Sequence, residues 1–158
     1  MSMHRVILST LALLSIAATP PAAVTGRLSN LTPVERFTAL PQAIQAGDFT
    51  VDGVSASRWE MAEPGGAFSA TDVPVPGAPS RRLVFAACDA ALCVIHYERG
   101  GIAHFYEILA LALTSRGWTA SWNVWGKKPI ANFDAFARSV KNGTFGAAWT
   151  TQSVKGDF

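Results

Sequence analysis

The chain has 158 residues, 49% hydrophobic and 15% charged, and its 13 basic and 11 acidic side chains leave a formal net charge of +2. The basic residues are scattered, with Arg81-Arg82 and Lys127-Lys128 as doublets, whereas nucleic-acid binders concentrate charge on one face, so nucleic acid is not an expected partner. No stretch stays apolar over the roughly 20 residues that cross a bilayer, and no transmembrane anchor is expected in the mature form.

Residues 6–18 are apolar except for Ser9, Thr10 and Ser15, follow Arg5, and give way to small residues around Pro20 and Pro21. This is the layout of a secretory leader. Cleavage points lie between 17 and 26, and the expectation is a leader over residues 1–23 followed by one exported globular domain over 24–158, periplasmic or extracellular. That length suits a single hydrophobic core.

Thr32-Pro33-Val34-Glu35 places a capping threonine, a proline at the first helical position and a glutamate at the third, which predicts a helix start. Pro41 interrupts it, so one short helix to Ala39 and a further turn from Pro41 are expected, stopped at Gly47, with Val34, Phe37 and Ile44 as the buried stripe. Phe49-Thr50-Val51, Asp52-Gly53 and Val54-Ser55-Ala56 read as a hairpin, extended by Trp59 and Met61. Residues 63–80 hold four prolines and three glycines, a loop composition expected to be mobile or to face a partner.

Residues 83–88, 92–98 and 102–113 read as three consecutive antiparallel strands, joined by a turn between the cysteines and by Arg99-Gly100-Gly101. Residues 119–125 add a fourth. Residues 105–115 also suit a helix, but the Gly-Gly turn favours a strand. Asn132 caps a helix whose apolar residues Phe133, Phe136, Ala137 and Val140 recur at helical spacing and which ends at Asn142-Gly143. The expected fold is α+β, an antiparallel sheet of about four to six strands with N- and C-terminal helices packed on one face.

A turn centred between Ala90 and Ala91 sets Cys88 opposite Cys93, and in an exported chain such a pair reads as a disulfide. The segment 87–93, with the short loop that the cysteines bracket, is similar to the loop with which periplasmic lysozyme inhibitors of the Ivy type plug their target's active site. That family's loop carries a histidine, whereas Asp89 is the polar side chain here.

His96, Glu98, His104 and Glu107 fall in one hairpin and are the candidates for acid/base chemistry. A three-residue turn would set His96 opposite His104, and a two-residue Gly-Gly turn would set Tyr97 there instead. Neither arrangement supplies the three or four fixed ligands of a zinc site, so no metal and no cofactor is expected. Trp118 and Trp122, four apart on one strand, are expected to share a buried face, while Trp125 has the opposite parity. Candidate binding residues are Asp89, Leu92, Trp125, Lys127 and Lys128, because loops on a rigid sheet carry recognition. The function expected is an exported, non-catalytic binding or inhibitory module for a protein or cell-envelope ligand. The alternative is a small hydrolase or metal-dependent enzyme built on His96, His104 and the nearby glutamates.

Overall fold

The computed structural model describes residues 18–51, 53–56 and 59–151. Residues 1–17 of the expected leader and Asp52 of the expected Asp-Gly turn lie outside them. In chain order the elements are α1 (Ala22–Thr25), β1 (Thr32–Val34), α2 (Gln42–Gln45), β2 (Phe49–Val51), β3 (Val54–Ser55), β4 (Arg81–Cys88), β5 (Leu92–Arg99), β6 (Phe105–Thr114), β7 (Gly117–Gly126), α3 (Phe133–Lys141) and β8 (Trp149–Thr151), with 3-10 turns at Leu28–Asn30 and Phe37–Ala39. Among the described residues, no helix is long and apolar enough to cross a membrane.

The fold is α+β, with a larger sheet than expected. Eight strands run in the order β1-β4-β5-β6-β7-β2-β3, with β8 also paired to β7. The middle of the sheet is the expected meander of β4 to β7, antiparallel throughout. Residues 105–114 form a strand. Beyond β7, two short strands share one edge: β2 lies parallel beside Trp118 and Thr119, and β8 lies antiparallel beside residues 124–126.

Both faces of the sheet are buried. One carries Phe49, Ile95, Tyr97, Leu109, Leu111 and Trp118 under Leu40, Ile44 and Trp59. The other carries Phe85, Val94, Ile108, Ala110, Trp122 and Val124 under Val24, Phe133, Phe136 and Trp149. The expectation of helices on one face is therefore corrected: α2 supplies Ile44 to the first face, while α1 and α3 cover the second. The strands of a sheet buried on both sides read as nearly continuous apolar runs, as β5 does, and such runs do not reveal that both faces are covered.

Several local expectations hold. Asn132 caps α3, its side chain accepting from the Ala135 N–H at 2.9 Å. Phe136 is fully buried, which contributes about 2 to 3 kcal/mol. Gly47 stops α2 with φ of +76°. Val34, Phe37 and Ile44 do turn inward to the first cluster.

Others are overturned for identifiable reasons. Thr32-Pro33-Val34 is not a helix start: it is β1, paired with residues 86–88 of β4. On an edge strand a proline's missing N–H costs no ladder bond, and the neighbouring threonine and valine favour extended backbone. Trp59 and Met61 do not extend β3; both are buried in the first cluster. Trp118 and Trp122 lie on opposite faces, because a register shift between Ala110 and Leu111 leaves Ser121 as an extra residue on β7 and reverses the alternation. Ile102 is not in a strand; it sits 99% exposed in the loop between β5 and β6.

Candidate functional site

The β5–β6 ladder pairs His96 with Ile108, Tyr97 with Glu107, Glu98 with Tyr106 and Arg99 with Phe105. Neither expected register occurs, because the connecting loop takes in residues 100–104 and carries His104 with it. Alternation along the strands then separates the four acid/base candidates. His96 and Glu98 project to the second face, Glu107 projects with Tyr97 to the first, and His104 belongs to the loop.

His96 is fully buried. Its Nε2 accepts from the Ile130 N–H at 3.1 Å, which leaves Nδ1–H to donate to the Glu107 carbonyl at 2.8 Å. Phe85, Trp149 and Tyr106 surround the ring. Burial outweighs the Glu107 carbonyl and the Glu98 charge and lowers its pKa to about 4. Both nitrogens of this neutral imidazole are occupied, so neither is available to a metal or a substrate.

Glu107 is also fully buried. It accepts from the Tyr97 hydroxyl and, at 3.2 Å, from Arg99 Nη1. Burial first, and the Glu107 charge second, hold the Tyr97 pKa well above its usual value. Arg81 lies on the same face, its guanidinium 5.1 Å from the Trp59 ring centre. Burial, joined by the Arg99 charge, lowers the Arg81 pKa, and Tyr97 and Glu107 offset part of this.

Glu98 and His104 are the pair that meets. Glu98 Oε1 lies 2.6 Å from His104 Nε2, while Oε2 accepts from Arg82 Nη2 at 2.5 Å and Nε at 2.9 Å. Arg82 also donates to the Gly66 carbonyl and lies over the Phe68 ring, 4.4 Å from its centre, so the cluster ties the 63–80 loop to the sheet. The His104 side chain is 43% exposed. A carboxylate that orients an imidazole is half of a nucleophile relay. The other half is missing: among the described residues no hydroxyl or thiol is hydrogen-bonded to the His104 ring.

The binding candidates fall at opposite ends of the sheet. Cys88 and Cys93 are disulfide-bonded and directly opposite, with Cα atoms 4.1 Å apart. Asp89 organises their turn: Oδ1 accepts from the Ala91 and Leu92 N–H groups at 2.8 Å, and Oδ2 pairs with Arg27 at 2.8 Å. Burial would raise the Asp89 pKa, but the Ala91 amide, Arg27 and the Leu92 amide outweigh it and lower it. Leu92 is buried in the second cluster. At the other end, Trp125 is half-buried and edge-on to Phe105. Lys127 and Lys128 are exposed and make no ion pair among the described residues.

The residues that sequence reasoning missed are Arg82, Phe68 and Tyr106. A straight ladder running from Cys88 opposite Cys93 would set Arg82 against Arg99. A bulge between Leu83 and Phe85 sets it against Glu98 instead, and nothing in the local sequence signals that bulge.

Two cavities lie apart from these residues. One of 380 Å³ lies between Val34, Phe85 and Phe133, and one of 580 Å³ between Leu28, Ala137 and Val140. Neither is lined by His96, Glu98, His104 or Glu107. Among the described residues no three histidine, cysteine, aspartate or glutamate side chains are grouped to hold a metal ion. In comparison with known proteins, no family model, curated protein or solved structure matches the chain.

Proposed function

We propose that the chain is an exported, non-catalytic binding module for a protein or cell-envelope ligand, and that it recognises this ligand through the end of the sheet formed by the β5–β6 loop and residues 63–80. The observation that carries this reading is the apolar surface collected there. Of the five large hydrophobic side chains left exposed among the described residues, three are Ile102 at 99%, Val73 at 71% and Val75 at 50%. Exposed apolar side chains gathered on adjoining segments point to an interaction site, whereas ones scattered singly need no explanation.

The two segments that carry them adjoin at Gly100 and Ser69. Gly100 N–H donates to the Ser80 carbonyl at 2.9 Å, and Val75 N–H donates to Ser69 Oγ at 2.9 Å. A Cβ on Gly100 would lie 1.8 Å from the Ser69 carbonyl oxygen, so only glycine permits this approach. Gly126, the last residue of β7, pairs with Tyr106, so Lys127 follows at the same end of the sheet as the Trp125 ring, which lies edge-on to Phe105. The apolar leader region and the disulfide support export, since disulfides persist in oxidising compartments.

The Glu98–His104 pair, with its half-exposed imidazole, favours the enzyme alternative, but among the described residues no nucleophile is bonded to the ring, so it supports less. The experiment is to capture a ligand from the exported and envelope fractions with the folded chain, then compare Ile102→Asp and Trp125→Ala with His104→Gln. The binding reading expects Ile102→Asp to weaken binding by about tenfold or more and His104→Gln to leave it nearly unchanged. A folded His104→Gln chain that keeps binding but loses turnover of the captured ligand would establish the enzyme instead.

A further inference from the structure

The first described residues are built into the domain. Ala18 and Val24 are fully buried and Leu31 nearly so, all in the second cluster with Trp122, Phe133 and Phe136. Pro20 is buried with them. Val24 is held in place by acceptors that lie just upstream of it. Val24 N–H and Thr25 N–H donate to the Pro21 carbonyl at 2.9 and 3.0 Å, Gly26 N–H donates to the Ala22 carbonyl at 2.9 Å, and the Thr25 hydroxyl donates to the same carbonyl at 3.2 Å. One residue further on, Arg27 grips Asp89 of the cysteine turn. A cut after Ala23 would remove Ala18, Pro20 and the Pro21 and Ala22 carbonyls that hold Val24, Thr25 and Gly26, and a cut after Gly26 would remove α1 itself.

Leader peptidases require small side chains at the residue before the cut and at the second residue upstream of that one. Between residues 15 and 26, Ser15-Ile16-Ala17 is the window with alanine, serine or glycine at both positions. A cut after Ala23 would put Pro21 at the upstream position, and a cut after Gly26 would put Val24 there. Among the bonds from 17 to 26, the one after Ala17 keeps residues 18–25 in the domain and also fits the small-residue pattern.

We propose that the leader is removed at the Ala17–Ala18 peptide bond, upstream of the cut after Ala23 expected from sequence, so that the mature protein begins Ala18-Thr19-Pro20-Pro21. Water adds across the C–N bond, leaving a carboxylate on Ala17 and an amine on Ala18. Processing precedes folding, so the domain does not shield the downstream bonds; it needs residues 18–25 to complete its second face. The proposal rests on the export reading, and the test separates the two.

The full precursor is expressed in a Gram-negative host, and the periplasmic protein is examined by intact mass and N-terminal sequencing. The expected chain begins at Ala18, Ala17→Phe blocks its appearance, and Ala23→Leu does not. A periplasmic chain beginning anywhere from Thr19 to Arg27 overturns the cleavage site and leaves export standing. A chain that keeps Met1 and stays in the cytoplasm overturns export, and the site with it. A chain starting at Ala18 is expected to melt at a higher temperature than one starting at Val24, and equal melting would overturn the structural argument.

Discussion

His96 accepts a hydrogen bond at Nε2 from the backbone N–H of Ile130, 3.1 Å away, and so ties the centre of the sheet to the segment that leads into α3. This bond exists only while the imidazole is neutral. Its other nitrogen is a donor to the Glu107 carbonyl, so protonation would turn the acceptor into a donor facing a donor.

Stability should therefore depend on pH in a defined window. Burial holds the folded pKa of His96 at about 4, below the ordinary histidine value of 6.5. Between these values the unfolded chain binds a proton that the folded chain does not, so stability falls as pH falls from 6.5 toward 4 and levels off below that. The loss should reach about 3 kcal/mol across the window. Urea unfolding at a series of pH values checks this, and most of the slope between pH 6.5 and 4.5 should vanish in His96→Gln. An unchanged slope in a folded His96→Gln protein would assign it to other groups.

Arg82 and Glu98 give a second prediction. Glu98 is 5% exposed, and Arg82→Met would leave its carboxylate with the His104 ring and the Tyr106 hydroxyl as its side-chain partners among the described residues. Removing one partner of a buried pair costs about 3 to 5 kcal/mol, and the partial exposure of Arg82 reduces this to about 2 kcal/mol. Arg82→Lys should recover less than half, because an ammonium cannot make the two-nitrogen contact with the carboxylate or stack flat on Phe68. Denaturant midpoints check both variants, and a full recovery by lysine would reduce the contact to a point charge.

Glu63 fixes the start of the long loop. Its Oε2 accepts from the Phe37 N–H at 2.6 Å, and its Oε1 accepts from the Thr38 N–H at 3.2 Å and the Thr38 hydroxyl at 3.0 Å. Burial would raise its pKa, but these bonds outweigh burial and lower it. Glu63→Ala should cost about 1 to 2 kcal/mol, in line with the loss of a capping side chain. The Phe37 and Thr38 amides should also exchange hydrogen faster, and unchanged protection there would show that Glu63 does not anchor the turn.

How much of this was legible depended on local chemistry. The asparagine cap of α3, the glycine after α2 and the cysteine turn are each set by a few adjacent residues, and each was read correctly. The β4–β7 meander followed from apolar runs punctuated by turns. What could not be read were the two register shifts, at residues 83–85 and at Ser121. Each reverses the facing of everything beyond it, so Trp118 parted from Trp122 and Arg82 met Glu98. The five residues of the β5–β6 loop had the same effect on His104, since each residue added to a turn moves the opposed pair and a Gly-Gly signal does not set the loop's length. The covering of both faces was hidden because Leu40 and Trp59 come from segments that carry no strong periodicity.

The disulfide gives the last prediction. Cys88 and Cys93 close a short loop, and in the chain-entropy account such a loop constrains few unfolded conformations, so reduction should cost only about 2 kcal/mol. The turn does not depend on the bridge alone. Asp89 caps the Ala91 and Leu92 N–H groups and pairs with Arg27, so the Cys88→Ala, Cys93→Ala double variant should fold with β4 and β5 still in register. Thiol titration of the native protein should find no reactive cysteine, and denaturant unfolding with and without reductant should give the difference in stability. Adding Asp89→Ala to the double variant should then cost more than Asp89→Ala does in the oxidised protein, because the bridge and the carboxylate restrain the same turn. Additive losses would show that the two act on it independently.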